Sequence, residues 1–131
     1  MNARFGYTIL YVDDVETSLG FYERAFGLVR RMLDDEKNYG ELESGATRLA
    51  FAANSFVRQM LPIAIAPSGA QQPAPPCELG MVTQNVDAAF RQALAAGASA
   101  VKSPETKPWG QIVGYVRDPN GFLVEICSEL P

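Results

Sequence analysis

The chain contains no histidine, so any acid–base work falls to carboxylates, phenols and thiols rather than to an imidazole. Glu125 is the carboxylate with the most suggestive setting. It stands between Val124 and Ile126, an apolar context that would raise its pKa if it were buried. Trp109, the only tryptophan, sits in a Pro108–Trp109–Gly110 loop and offers a flat surface for stacking. Tyr7 and Tyr11 alternate on one strand face, and aromatics there suit stacking or cation–π contact. Tyr39 and Arg48 are further candidates, Arg48 as a partner for a carboxylate. Phe56 and Met60 precede a linker that could cover a cleft, although Met60 reads first as a core gap-filler.

Other chemistries find no support. Ser44, Ser68 and Ser103 have no histidine to activate them. No glycine-rich phosphate loop occurs. The two cysteines, Cys77 and Cys127, lack zinc-site spacing and read as buried free thiols. Asp118–Pro119–Asn120–Gly121 reads as a structural turn.

These residues need elements to position them. Alternation predicts a strand over Phe5–Val12, and Asp14 caps a helix over Val15–Phe26 that Gly27 ends. Strands follow over Leu28–Leu33, Tyr39–Glu43 and Arg48–Ala53. A short helix is expected over Ser55–Leu61, capped by Asn54 or Ser55, before a stretch rich in Pro, Gly, Ala and Gln. The plan then returns. A strand spans Glu78–Thr83, Asn85 caps a helix over Val86–Ala96 with Val86, Ala89, Phe90 and Ala93 inward, and Gly97 closes it. Strands over Ser99–Lys102, Gln111–Val116 and Phe122–Cys127 complete it, with a loop over Pro104–Gly110. Tyr7 and Glu78 are separated by the same interval as Val15 and Val86, so the chain holds one plan twice. The expected organisation is one domain over 1–131: module one at about 4–54, linker 55–76 and module two at about 77–128.

The 131 residues are 47% hydrophobic and 20% charged with net charge −4, ordinary values for a globular chain. No basic run is dense enough to follow phosphates, which argues against nucleic acid. The N-terminus has no signal-peptide pattern and no apolar run approaches spanning length, so a cytoplasmic protein with no membrane partner is expected. Each module is small, which favours packing of modules or of two copies.

Taken together, Tyr-Val-Asp-Asp-Val (11–15), Phe21–Tyr22, Phe26–Gly27, Asn-Val-Asp-Ala-Ala (85–89), Ala-Ala-Gly-Ala (95–98), Pro-Trp-Gly-Gln (108–111), Asp-Pro-Asn-Gly (118–121) and Val-Glu-Ile (124–126) resemble the vicinal oxygen chelate superfamily, which includes glyoxalase I, bleomycin-resistance proteins and extradiol dioxygenases. The resemblance implies an α+β fold of two βαβββ modules whose curved mixed sheets surround a cleft. It also implies four metal-ligand positions, which fall here at Tyr7, about Ala50, Glu78 and Glu125. Two carboxylates without an imidazole make a poor site for zinc, nickel or iron, so neither a metal nor another cofactor is expected. The implied ligand-binding set is Tyr7, Arg48, Ala50, Glu78, Trp109 and Glu125. The chain is most similar to the metal-less bleomycin-resistance-like branch, which implies a homodimer binding a small molecule, such as a flat cationic drug. The alternative is an enzyme of lyase, isomerase or dioxygenase type, metal-dependent or metal-free, with Glu125 and Glu78 as its catalytic candidates.

Overall fold

A computed structural model describes all 131 residues. The chain forms two compact units, one of Met1–Glu23 with Gly27–Ala66 and one of Arg24–Phe26 with Pro67–Pro131. Each is built around a four-stranded mixed sheet.

In the first unit, Tyr7–Val12 (β1) leads into Val15–Phe26 (α1), whose last three residues count with the second unit, followed by Val29–Leu33 (β2), Tyr39–Glu43 (β3), Arg48–Ala53 (β4) and Asn54–Met60 (α2). The sheet order is β1-β4-β3-β2, with β1 parallel to β4 and the other pairs antiparallel. Alternation along the strands assigns the two faces. Leu10, Val12, Leu49, Phe51 and Leu42 are buried on one face, where α1 packs Val15, Leu19 and Tyr22. The Tyr22 ring lies 5.4 Å from that of Phe51. Gly40 permits this approach, because a Cβ there would stand 2.7 Å from Leu19 Cδ1. Each fully buried large apolar side chain contributes about 1.5–3 kcal/mol, so this face anchors the sheet and leaves the other for display.

The second unit repeats the plan with Glu78–Val82 (β5), Val86–Ala96 (α3), Ser99–Thr106 (β6), Ile112–Arg117 (β7) and Leu123–Cys127 (β8). Its order is β5-β8-β7-β6, again with the first and last strands parallel. Val86, Phe90 and Ala93 of α3 are buried, as are Val116, Val124 and Ile126 of the sheet. Both helices start as their sequences dictate. The Asp14 carboxylate accepts from the Thr17 amide at 2.8 Å, and the Asn85 side chain accepts from that of Ala88 at 3.0 Å.

The structure corrects several expectations. Strand β1 begins at Tyr7, not Phe5. The β6 strand runs through Pro104 to Thr106, past the expected end at Lys102. It is an edge strand, where a missing N–H is tolerated, and its register shifts on both sides of Lys102. Helix α2 is preceded by Ala53, with no side-chain cap. Asn54 instead donates to Asp13 Oδ1 at 2.8 Å. Ala89 is only half-buried, Met60 is exposed rather than in the core, and Cys77 is exposed while Cys127 is buried.

Within the expected linker, residues up to Ala66 belong to the first unit and those from Pro67 to the second. Arg117 holds the latter part by donating to the carbonyls of Gln72 at 2.7 Å and Gly69 at 3.3 Å. Gly121, at φ 93°, leaves room for the Gly69 carbonyl to sit against it. No helix is long and apolar enough to cross a membrane.

Candidate functional site

In the second unit, the sheet face opposite α3 carries Glu78 and Gly80 from β5, Glu125 and Cys127 from β8, and Tyr115 from β7. Register sets this arrangement: Gly80 and Tyr115 flank Glu125 on either side, and Glu78 pairs with Leu123, two residues before Glu125. Val124 and Ile126 point to the helix face and are buried there, so they do not enclose the Glu125 carboxylate, as the sequence context suggested. That carboxylate accepts from the Tyr115 hydroxyl at 3.1 Å. Burial, followed by donation to Glu125, raises the Tyr115 pKa. The same two causes push the Cys127 thiol up to about 11, so both groups remain protonated donors at neutral pH. No cationic side chain forms an ion pair with Glu125 or Glu78.

Beside Glu125 the surface is open, since a Cβ at Gly80 would meet nothing within 4 Å. At the edge of this face the Trp109 indole N–H donates to Gln111 Oε1 at 2.9 Å, and the Gln111 amide donates to the Ser128 carbonyl at 2.9 Å. Gln111 also contacts the Cys127 thiol. Trp109 is thus tethered by its polar edge, while the residue as a whole is 56% exposed.

In the first unit, the face opposite α1 carries Tyr7 and Ile9 from β1, Arg48 and Ala50 from β4, and Tyr39 and Glu41 from β3. Tyr7 is the register partner of Arg48, and Ala50 lies between Ile9 and Glu41. Ala50 is fully buried and offers no donor. Glu41, which the sequence reading did not single out, dominates this face. Its carboxylate, on a side chain only 14% exposed, accepts from the Tyr39 hydroxyl at 2.6 Å and from Arg31 Nε at 3.0 Å, and Arg48 Nε lies 3.7 Å away. Burial first, then the bond to Glu41, raises the Tyr39 pKa. A glutamate sharing a strand face with Tyr39, beside an arginine-bearing strand, was the available signal. Arg48 therefore meets its carboxylate on the neighbouring strand of its own sheet.

The candidate residues thus fall on two sheets. Glu78, Trp109 and Glu125 share the face of the second unit. Tyr7, Arg48 and Ala50 share that of the first.

Neither face fits a divalent metal. In the first unit the one central carboxylate already faces two guanidinium groups, whose charge opposes a bound cation, and Ala50 supplies nothing. In the second, the acids are two carboxylates with protonated neighbours, and no three His, Cys, Asp or Glu side chains anywhere in the chain are grouped to hold an ion. Harder cations accept oxygen ligands but hold weakly to so few.

The paired βαβββ topology agrees with a family model, the Glyoxalase/Bleomycin resistance protein/Dioxygenase superfamily, which matches residues 4–126. The chain belongs to this superfamily. An uncharacterized protein of Mycobacterium bovis is 32% identical over 123 residues, covering 86% of this chain and 74% of that protein. Among solved structures, a glyoxalase-related enzyme from Fulvimarina pelagi superposes with a TM-score of 0.83 at 20% identity, covering 98% of this chain and 89% of the other. TioX from Micromonospora sp. ML1 gives 0.72 at 21% identity, covering 98% and 100%. At these identities the two structures show a shared fold and no shared activity.

Proposed function

We propose that this superfamily member is a metal-independent small-molecule binding protein, similar to the bleomycin-resistance-like branch, and that the open face of its second unit receives a flat, cationic ligand. One observation carries this reading: Glu125 presents a carboxylate that neutral donors hold in place and no cation neutralises, beside the bare backbone of Gly80. Glu78 adds a second negative charge on the same face, and Trp109 adds an exposed aromatic surface at its edge. Carboxylates with an aromatic wall recognise organic cations by charge and by cation–π attraction. The neutral donors matter, because a hydrogen bond from a phenol fixes the carboxylate without cancelling its charge.

The small size of each unit also supports a homodimer, which light scattering at micromolar concentration would read as twice the monomer mass. The binding reading is tested by titrating Trp109 fluorescence with acriflavine, once with chelator and once with manganese. Saturable quenching of equal affinity in both is expected. Quenching that appears only with manganese overturns metal independence, and no saturable change in either condition overturns the assigned face.

A further inference from the structure

The open face of the first unit has a different chemistry. Four charged side chains gather there: Arg31 and Arg48 against Glu41 and Glu43. Arg31 is paired twice, with Nε 3.0 Å from Glu41 and a terminal nitrogen 3.2 Å from Glu43. Arg48 is not. Its only ion-pair contact is the 3.7 Å approach of Nε to Glu41, too long for a hydrogen bond, and that buried Nε has no hydrogen-bond partner. No side chain or carbonyl accepts from its terminal nitrogens, yet the side chain is 35% exposed. Its register partner Tyr7 is 53% exposed, and no hydrogen bond engages its hydroxyl. The free guanidinium edge and the free phenol therefore stand side by side on adjacent parallel strands, facing the same way, with Ile9 exposed beyond them.

We infer that Arg48 and Tyr7 form a binding site for the carboxylate group of an aromatic or aliphatic acid. A guanidinium presents two parallel N–H groups that match the two oxygens of a carboxylate, and the phenol supplies a third donor at the rim. The charge count selects a monoanion. The two arginines and two glutamates cancel, so the face has no surplus positive charge to hold a dianion. The free edge of Arg48 suffices for a single carboxylate, and the Glu41 carboxylate beside it would repel a phosphate dianion. Tyr7 and Ile9 give the apolar part of such an acid something to lie on. This site stands on the first unit alone, so it does not depend on the ligand proposed for the second.

The test is a titration of the isotope-labelled full chain with benzoate, and separately with benzamide, followed through backbone amide and arginine Nε–H signals. Benzamide keeps the ring and removes the charge. Benzoate is expected to shift the Arg48 Nε–H and the Tyr7, Arg48 and Ile9 amides saturably, with benzamide at least about tenfold weaker, the factor that losing one charge-assisted hydrogen bond brings. Arg48→Gln is expected to weaken benzoate about tenfold, and Tyr7→Phe, an exposed change that leaves folding alone, by a few-fold. Equal shifts from benzoate and benzamide, shifts that map elsewhere, or a Tyr7→Phe protein that binds benzoate as the parent does would overturn the assignment. Failure here with intact acriflavine binding leaves the reading of the second unit standing. The reverse result leaves this one standing.

Discussion

The two units share a topology and differ in where they keep a carboxylate. In the second, the acid is on the last strand and a tyrosine faces it from the strand before: Glu125 opposite Tyr115. In the first, the same register pair is occupied by Ala50 on the last strand and Glu41 on the strand before. The acid has moved sideways by one strand, and its company has changed with it. Glu125 is held by a phenol and a thiol, which leave its charge exposed, whereas Glu41 is held by a phenol and two arginines, which neutralise it. One backbone plan therefore presents an unbalanced negative face in one copy and a balanced face with a spare guanidinium in the other. The helix-facing side shows the same economy. Gly40 and Gly114 occupy equivalent places on β3 and β7, but one makes room for Leu19 and Val15 of α1 and the other for Pro104 of β6.

The sharpest probe of the Glu125 environment is thiol chemistry. At pH 8 a thiol with a pKa of about 11 is about one part in a thousand thiolate. Iodoacetamide should modify exposed Cys77 at least about a hundredfold faster than Cys127. Glu125→Gln removes one cause of the raised pKa, so peptide mapping should show faster labelling of Cys127. An unchanged rate would mean that the Glu125 charge does not reach the thiol.

Next in size is a substitution that tries to give the first unit the acid of the second. Ala50 is fully buried, so Ala50→Glu should destabilise by about 3 kcal/mol through overpacking and an added buried charge. The Gly80→Ala control, made into open space, should change stability by less than about 1 kcal/mol. Urea melts distinguish the two, and a tolerated Ala50→Glu would show that the sideways move of the acid is not enforced by packing.

Removing the acids themselves should separate the units further. Glu41→Gln leaves Arg48 without an ion pair and Arg31 with Glu43 alone, and should cost about 1–3 kcal/mol. Glu125→Gln, whose partners are neutral and whose side chain is partly exposed, should cost less than about 1 kcal/mol by the same urea melts. Equal losses would erase the distinction between a structural and a displayed carboxylate.

The smallest effects compare the equivalent caps. Asp14→Ala and Asn85→Ala should each cost about 1 kcal/mol, but only the first should alter the pH profile. Bonding to the Thr17 amide lowers the Asp14 pKa from its ordinary 3.8. Its stabilisation is therefore present above 3.8 and disappears as pH falls through the lowered value. Thermal melts from pH 6 to pH 2 should show this slope in the parent and in Asn85→Ala, and a shallower one in Asp14→Asn.

Much of this was legible in the chain. Alternation and caps placed most elements, though α2 lacks the cap expected for it and β6 runs on past Lys102. The bounds of α1, β3, β4 and α3 are those expected for them. Pro104 misled because a proline reads as a strand end unless the strand is known to lie at an edge, which is a property of the assembled sheet. Cys77 misled because its apolar neighbours do not reveal that it precedes β5 on the surface. Glu41 escaped notice for a related reason. Its significance comes from the register that sets it opposite Ala50 and beside Arg48, and register between strands is not written in the local pattern of either. Glu125 was found, but the apolar flanks that drew attention to it belong to the other side of the sheet.

The central claim is that the two carboxylates have different work, one displayed for a ligand and one used to build the sheet face. Isothermal titration of acriflavine into the parent chain, Glu125→Gln and Glu41→Gln tests it directly. Glu125→Gln is expected to weaken binding about tenfold, as loss of one charge-assisted contact does, and Glu41→Gln to bind as the parent. A Glu41→Gln protein that loses binding while Glu125→Gln retains it would contradict the account.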